Sequence, residues 1–404
     1  MQQLHASCGR RGAAAAPLTA APRRAPPPRR RRCRAASTPR PAAAVGAIDI
    51  GVASVVGPRP TQEDAYLVVE ADPRLPPGTV LAAVFDGHGG SLSSAWLKKE
   101  LYPFLVPAAL PAAAAALHSP DDDCGGSPEG DDAAAWRAPP GVIEGTLAKG
   151  VRSPRGAAAA MAAAFREADA ALIDHLKAER GLEEIGASGS TALVALISPA
   201  GAVFANLGDC DALLCRAGGE AAMVARRHRV YGLGPDVMEE MERVEAAGGW
   251  IAEGRVCSIL AVARAFGDPE FKGDGLKTLL RGGAKNGLWT ESYAEAHTFT
   301  ADPVICEPSV TAVTFSQPRD ELLILATDGL WDAVPAAEAA AAARASLASG
   351  AGAAGAAEAV AELAVRRFAR DNVTVIVVDL QKGQPRPAAA AGSGGGWLGG
   401  LFGR

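Results

Sequence analysis

No aspartate or glutamate stands among the first 48 residues of this 404-residue chain, while ten arginines do, in a background of alanine and proline. An acid-free, arginine-rich block that ends where strand-like sequence begins has the composition of a chloroplast or mitochondrial transit peptide, although serine is scarce. The competing reading is a basic arm for nucleic acid. With residues 1–47 set aside, however, 30 Lys and Arg face 45 acids, and a chain that negative is not expected to have a nucleic-acid partner. Cysteine is sparse, and positions 8, 33, 124, 210, 215, 257 and 306 form no C-x-x-C pair. That argues against zinc sites and disulfide frameworks and fits a reducing compartment. No apolar run approaches the ~20 residues of a membrane helix, so membrane contact is expected to be peripheral at most.

What the chain does have is a set of apolar strands that meet acids. The run 79–85 stops at Asp86-Gly87-His88-Gly89-Gly90, and similar turns recur at Asn206-Leu-Gly-Asp209, Thr327-Asp328-Gly329 and Arg370-Asp371-Asn372. Glu63 and Asp64 directly precede the strand-like run 65–70. Taken singly, such an Asp is more often a turn residue or a helix cap. Acids gathered at strand ends far apart in sequence are instead how a fold builds an oxygen-ligand metal site. Hard ions such as Mg2+ and Mn2+ prefer carboxylates, carbonyls and water. Two of them sharing one carboxylate lower the pKa of a water between them and orient it for in-line attack on phosphorus. Arg59 has the planar fork that suits a phosphoryl group, or is a surface residue of its Pro-rich turn. His88 can donate a proton to a leaving alkoxide, or is simply satisfied by a neighbouring carboxylate.

Further strands are expected at 48–56, 191–198, 202–207, 212–215, 310–315, 322–326 and 373–380, with a hairpin turn at 199–201. Helical spacing covers 91–110, with Ser91 or Ser93 as its cap, then 157–180, 236–247 and two Ala-rich stretches between 335 and 368. Residues 111–156 read as a low-complexity surface insertion, 272–300 as irregular, and 381–404 as a disordered Gly-rich tail whose Trp397, Leu398, Leu401 and Phe402 can touch a membrane interface. Runs of strands with paired helices point to an α+β fold with largely antiparallel sheets.

Seven motifs in order give the chain a resemblance to the metal-dependent protein phosphatase 2C (PPM) family over nearly all of residues 48–380. They are Arg59-Pro-Thr-Gln-Glu-Asp64, Asp86 to Gly90, Ser188-Gly-Ser-Thr-Ala192, Asn206 to Asp209, Arg255 through Arg264-Ala-Phe-Gly-Asp268, Asp328-Gly-Leu-Trp-Asp332 and Asp371-Asn372. The resemblance implies a four-layer α-β-β-α sandwich and a serine/threonine phosphoprotein phosphatase with two Mn2+ or Mg2+ ions and a weaker third. It implies that Asp86 bridges the ions, Gly87 offers its carbonyl, Asp328 and Asp371 hold the first ion, and Glu63 supports the second. Asp209 with Asp328 would form the third site, with Asp64 and Asp332 standing behind the ligands. Arg59 would bind the substrate phosphate and His88 would act as general acid.

Two stretches depart from the family pattern. Gly208-Asp-Cys-Asp-Ala212 stands where the family usually has Gly-Asp-Ser-Arg-Ala, and Arg227-His-Arg-Val230 where it has Asp-His-Lys-Pro. Both lie near a flap expected at about 226–300. Tyr231-Gly232, the stretch from Arg243 to Trp250, Phe271-Lys272 and Trp289-Thr-Glu-Ser-Tyr293 resemble a thylakoid-associated branch of the family that dephosphorylates light-harvesting antenna proteins. With the N-terminal block, this implies a monomer in the chloroplast, in the stroma or on the stromal face of the thylakoid. A catalytically silent phosphoprotein binder would have lost an acid, and none is missing. A small-phosphoester hydrolase is the other alternative, against which the long aromatic flap favours a protein substrate.

Overall fold

The computed structural model describes residues 48–118, 151–180, 188–316 and 319–382. The expected transit segment, most of the expected insertion and the Gly-rich tail lie outside the described residues. The chain enters through β1 (Asp49–Val55), β2 (Ala65–Val69), β3 (Val80–Phe85) and the short β4 (Gly87–His88), then α1 (Leu92–Leu105) and α2 (Ala109–His118). It continues with β5 (Val151–Arg152), α3 (Arg155–Arg180), β6 (Gly189–Ser190), β7 (Ala192–Ser198), β8 (Gly201–Leu207), β9 (Asp211–Arg216) and β10 (Ala221–Met223). The flap carries α4 (Pro235–Ala246), β11 (Ile251–Ala252), β12 (Arg255–Val256), β13 (Phe266–Gly267), α5 (Leu276–Lys285) and α6 (Glu291–Ala296). The last elements are β14 (Ser309–Thr314), β15 (Asp320–Ala326), α7 (Asp328–Trp331), α8 (Ala336–Ala348), α9 (Gly352–Arg366) and β16 (Val373–Asp379).

Two antiparallel sheets result, ordered β1-β16-β15-β9-β10 and β2-β3-β7-β8-β14-β5. Strand alternation sorts their side chains. Val80, Ala82 and Val84 of β3 meet Leu323, Leu325, Ile376 and Val378 of the other sheet in the sandwich interior. Leu81, Ala83 and Phe85 of the same strand pack outward on Leu97 and Leu101 of α1 and Phe165 of α3. On the opposite outer face, Leu322, Ile324, Val375 and Val377 lie under the alanines of α8 and α9. Strands covered on both faces read as continuous apolar runs, which is why they stood out in the sequence. The α-β-β-α architecture expected from the motifs is the one observed.

Three local expectations are corrected. The helical region does not stop at 110: after a break the chain resumes as α2, with Ala113 and Leu117 buried. Pro111 marked the start of a loop in the sequence, but it falls in the first turn of α2, where no helical hydrogen bond needs its missing N–H. Residues 272–300 are not irregular, since they contain α5 and α6. Gly282-Gly283 lowered the apparent helix propensity of α5, while Leu279 and Leu280 are buried, and Thr290 caps α6 by accepting the Tyr293 N–H at 3.2 Å. Ser91 occupies the N-cap position of α1 without a side-chain cap bond, and buried Ser93 instead donates to the Ser188 carbonyl at 2.8 Å. Among the described residues no single helix is long and apolar enough to cross a membrane.

Candidate active site

The C-terminal end of β15 and the N-terminal end of β16 share one sheet edge, because Ala326 pairs with Val375. Asp328 and Asp371 therefore leave the same edge, and β3 and β8 bring Asp86 and Asp209 to it. Asp86, Asp209 and Asp328 each place a carboxylate oxygen within 4.8 Å of the others. Burial, then the charges of Asp328, Asp64 and Asp209, push the Asp86 carboxyl well up. Asp328 is pushed up to about 7 by burial and by Asp209 and Asp332, against the pull of Arg229 and a hydrogen bond with Asp86. Three crowded carboxylates that resist ionising together are stabilised by a cation. The donors are all hard oxygens, so the set fits Mg2+ or Mn2+.

The remaining expected ligands are placed differently. The Asp371 carboxylate accepts from Arg59 Nη2 at 2.6 Å and from the Asn372 N–H at 2.8 Å, and so lies outside the three-carboxylate group while its charge still reaches Asp86. Glu63 receives the Thr61 hydroxyl at 3.3 Å. Gly87 lies against the Glu63 backbone, since a Cβ there would come within 2.3 Å of its carbonyl oxygen. Only glycine permits that approach. Asp64 is buried and accepts from Thr327 Oγ1 at 3.0 Å; burial raises its carboxyl to about 7 against the lowering effect of bonds from Thr374 and Thr327. It braces the start of β2 against the end of β15.

His88 projects into the same region from β4, and its Nε2 lies 2.8 and 2.9 Å from the two oxygens of Asp268. Burial alone would depress this imidazole, but the Asp268 charge and hydrogen bond outweigh it and the net shift is upward. A histidine held protonated beside a carboxylate cluster is equipped to give up a proton.

Comparison with known proteins gives the same reading. A family model described as Protein phosphatase 2C matches residues 140–373. The chain is 32% identical to "Protein phosphatase 2C 57" of Arabidopsis thaliana, across 86% of this chain and 79% of that one. This chain belongs to the protein phosphatase 2C family. It is also 32% identical to "Probable protein phosphatase 2C 68" of Oryza sativa subsp. japonica, across 82% and 78% of the two chains. The fold is shared with the serine-threonine phosphatase 2C from Toxoplasma gondii, at a TM-score of 0.55 and 20% identity over 85% of this chain and 98% of that one. Membership makes the protein a metal-dependent serine/threonine protein phosphatase.

Within this protein phosphatase 2C the two departures prove to be one structure. Buried Asp211 accepts from Arg227 Nε at 2.7 Å. The family pattern puts a basic residue at 211 and an acid at 227, so the charges have changed places. Next in sequence to Arg227, His228 fixes the turn that carries Asp209. Its Nδ1 accepts the Gly208 N–H at 3.1 Å and its Nε2 lies 2.8 Å from Ser309 Oγ, so the ring is neutral with its proton on Nε2. Burial, reinforced by Arg264 and Arg226, depresses it far below the usual histidine range. Gly208 has φ of 104°, and a Cβ there would strike Thr191 at 2.5 Å.

Four residues at or beside the site were quoted in motifs without a role: Asp268, Asn372, His228 and Arg229. Asn372 accepts the Glu63 N–H at 2.8 Å and donates to the Val56 and Thr61 carbonyls. It thereby pins the loop that carries Arg59. Arg229 bonds Asp209 and Asp332 at 3.2 and 2.9 Å. The flap aromatics are mostly its own interior: Trp250 packs edge-on against Trp289 at 5.2 Å and Tyr293 at 5.6 Å. They stiffen the flap, and among them Tyr293 is exposed.

Proposed function

We propose that this phosphatase acts in plastids on phosphoserine and phosphothreonine of light-harvesting antenna proteins, using two ions of Mn2+ or Mg2+. The observation that carries the chemistry is the convergence of Asp86, Asp209 and Asp328 from three separate strand ends. Bound there, divalent ions supply a nucleophilic water and charge for the phosphoryl oxygens. The chain's own residues do the rest. Asp86 and Asp328 give the ions their carboxylates, with Gly87, Glu63 and Asp371 beside them. Arg59 presents its guanidinium to the phosphate and orients it by a bidentate contact. His88, its Nε2 proton held by Asp268, gives the proton on Nδ1 to the departing serine or threonine oxygen. Catalysis is then mainly positioning and electrostatics. The plastid reading is supported by the acid-free N-terminal block, and the antenna reading by the Trp250, Trp289 and Tyr293 stretches of the flap.

The decisive assay measures turnover of a phosphothreonine peptide with and without Mn2+ in Asp86→Asn and Asp328→Asn. Both variants are expected to lose nearly all activity, and wild-type turnover in either refutes the metal centre. Separately, residues 1–60 fused ahead of a fluorescent protein are expected to direct it into plastids. Cytosolic fluorescence removes the antenna substrate and leaves the chemistry intact.

A further inference from the structure

The family resemblance implies a weaker third ion beside Asp209 and Asp328, and the residues around those two acids do not fit it. Arg229 is in the way. Its Nε bonds Asp209 Oδ2 at 3.2 Å, and its Nη2 bonds Asp332 Oδ1 at 2.9 Å and lies 3.7 Å from Asp328 Oδ2. Its guanidinium also stacks over the Tyr231 ring, 4.8 Å from the centroid. One fixed cation thus spans both carboxylates that a third ion would need, Asp209 and Asp328, and is anchored on Asp332 behind them. A divalent ion demands oxygens at about 2.0–2.6 Å, and a guanidinium bonded to those oxygens both occupies their lone pairs and repels a second cation. An arginine cannot yield by losing its proton. The fork also reaches two carboxylates at once, which a lysine, as a single point charge, does not do.

We propose that Arg229 is a built-in substitute for a third divalent ion, so that this phosphatase binds two ions per chain and excludes a third. Its guanidinium supplies the positive charge on the Asp209–Asp332 side of the cluster and leaves Asp86 and the remaining oxygens of Asp328 to the two ions. The inference rests on the metal-dependent reading above and adds a stoichiometry to it.

The test counts Mn2+ directly, by equilibrium dialysis of the purified full chain with the free ion followed by electron paramagnetic resonance, at saturating Mn2+. Wild type is expected to hold two ions, and Arg229→Ala three, the additional one binding more weakly. Arg229→Ala combined with Asp209→Asn is expected to return to two. Arg229→Gln, which removes the charge and keeps most of the side-chain volume, is likewise expected to hold three, which keeps the proposal testable should Arg229→Ala fail to fold. Three ions in wild type, or an unchanged count in a folded Arg229→Ala, overturns the proposal while sparing the metal centre. Failure of wild type to bind any Mn2+ overturns both.

Discussion

Asp268→Asn isolates the charge behind His88 without removing a hydrogen-bond partner, since Asn keeps an oxygen where Asp268 Oδ1 lies 2.8 Å from Nε2. Two unit charges at that distance attract by roughly 1.5 kcal/mol in a water-like medium and ~6 kcal/mol at an effective dielectric of 20. His88 retains some solvent contact and Asp268 is almost fully buried, so the loss falls between those limits. Even the lower one is about a tenfold change in the ratio of protonated to neutral imidazole. Burial, which disfavours the imidazolium, then acts unopposed by its main partner. The basic limb of the kcat–pH profile on a phosphothreonine peptide should move to lower pH, with kcat above neutrality falling at least ~10-fold. On p-nitrophenyl phosphate, whose leaving group departs without a proton, the change should be small. A peptide profile with an unmoved basic limb refutes the argument that Asp268 keeps His88 charged.

Other consequences can be measured. His88→Ala should lower kcat on phosphopeptides by roughly 10²–10⁴-fold and matter far less on p-nitrophenyl phosphate, whereas Arg59→Ala should weaken binding of both, as seen in KM; equal kcat losses on the two substrates in His88→Ala would exclude the general acid. Asp64 and Asp328 ionise near 7 in the fold and near 4 when unfolded, so their contribution to stability is full at low pH and is lost as pH rises through 7. Metal-free protein should therefore lose ~1.4 kcal/mol per group between pH 6 and 8, and Mn2+ should reverse the loss; a metal-free Tm that rises over this range contradicts it. Asp211→Arg and Arg227→Asp should each destabilise by about 3–5 kcal/mol in urea titrations and the double variant should recover most of it, with additive losses ruling out the pairing.

The sandwich and the acid cluster were legible because each rests on a local signal. Buried strands such as β3 and β15 are continuous apolar runs, and Asp86, Asp209 and Asp328 each mark the end of one. Asp268 carries no such mark. It follows the short β13 with φ of 48°, and only the pairing of β4 and β13 on either side of β6 brings it to His88, 180 residues away in sequence. Arg229 was visible only as an ordinary basic residue in an atypical stretch, and its three acidic contacts are assembled by tertiary structure. The boundaries of α2 and α5 were lost for the opposite reason. Pro111 and Gly282-Gly283 are strong local breakers, and burial of Leu117, Leu279 and Leu280 overrode them.

The exchanged charges at positions 211 and 227 bear on how such a chain is inherited and read. Scored one position at a time, Asp211 and Arg227 look like two independent lapses from a pattern. Held at 2.7 Å, they are one character with two letters, and a lineage changing only one of them would pass through an intermediate with an unmatched acid or base in a buried turn. The two sites should therefore co-vary among descendants of this sequence. Grafting either motif alone into another phosphatase should fail where grafting both succeeds.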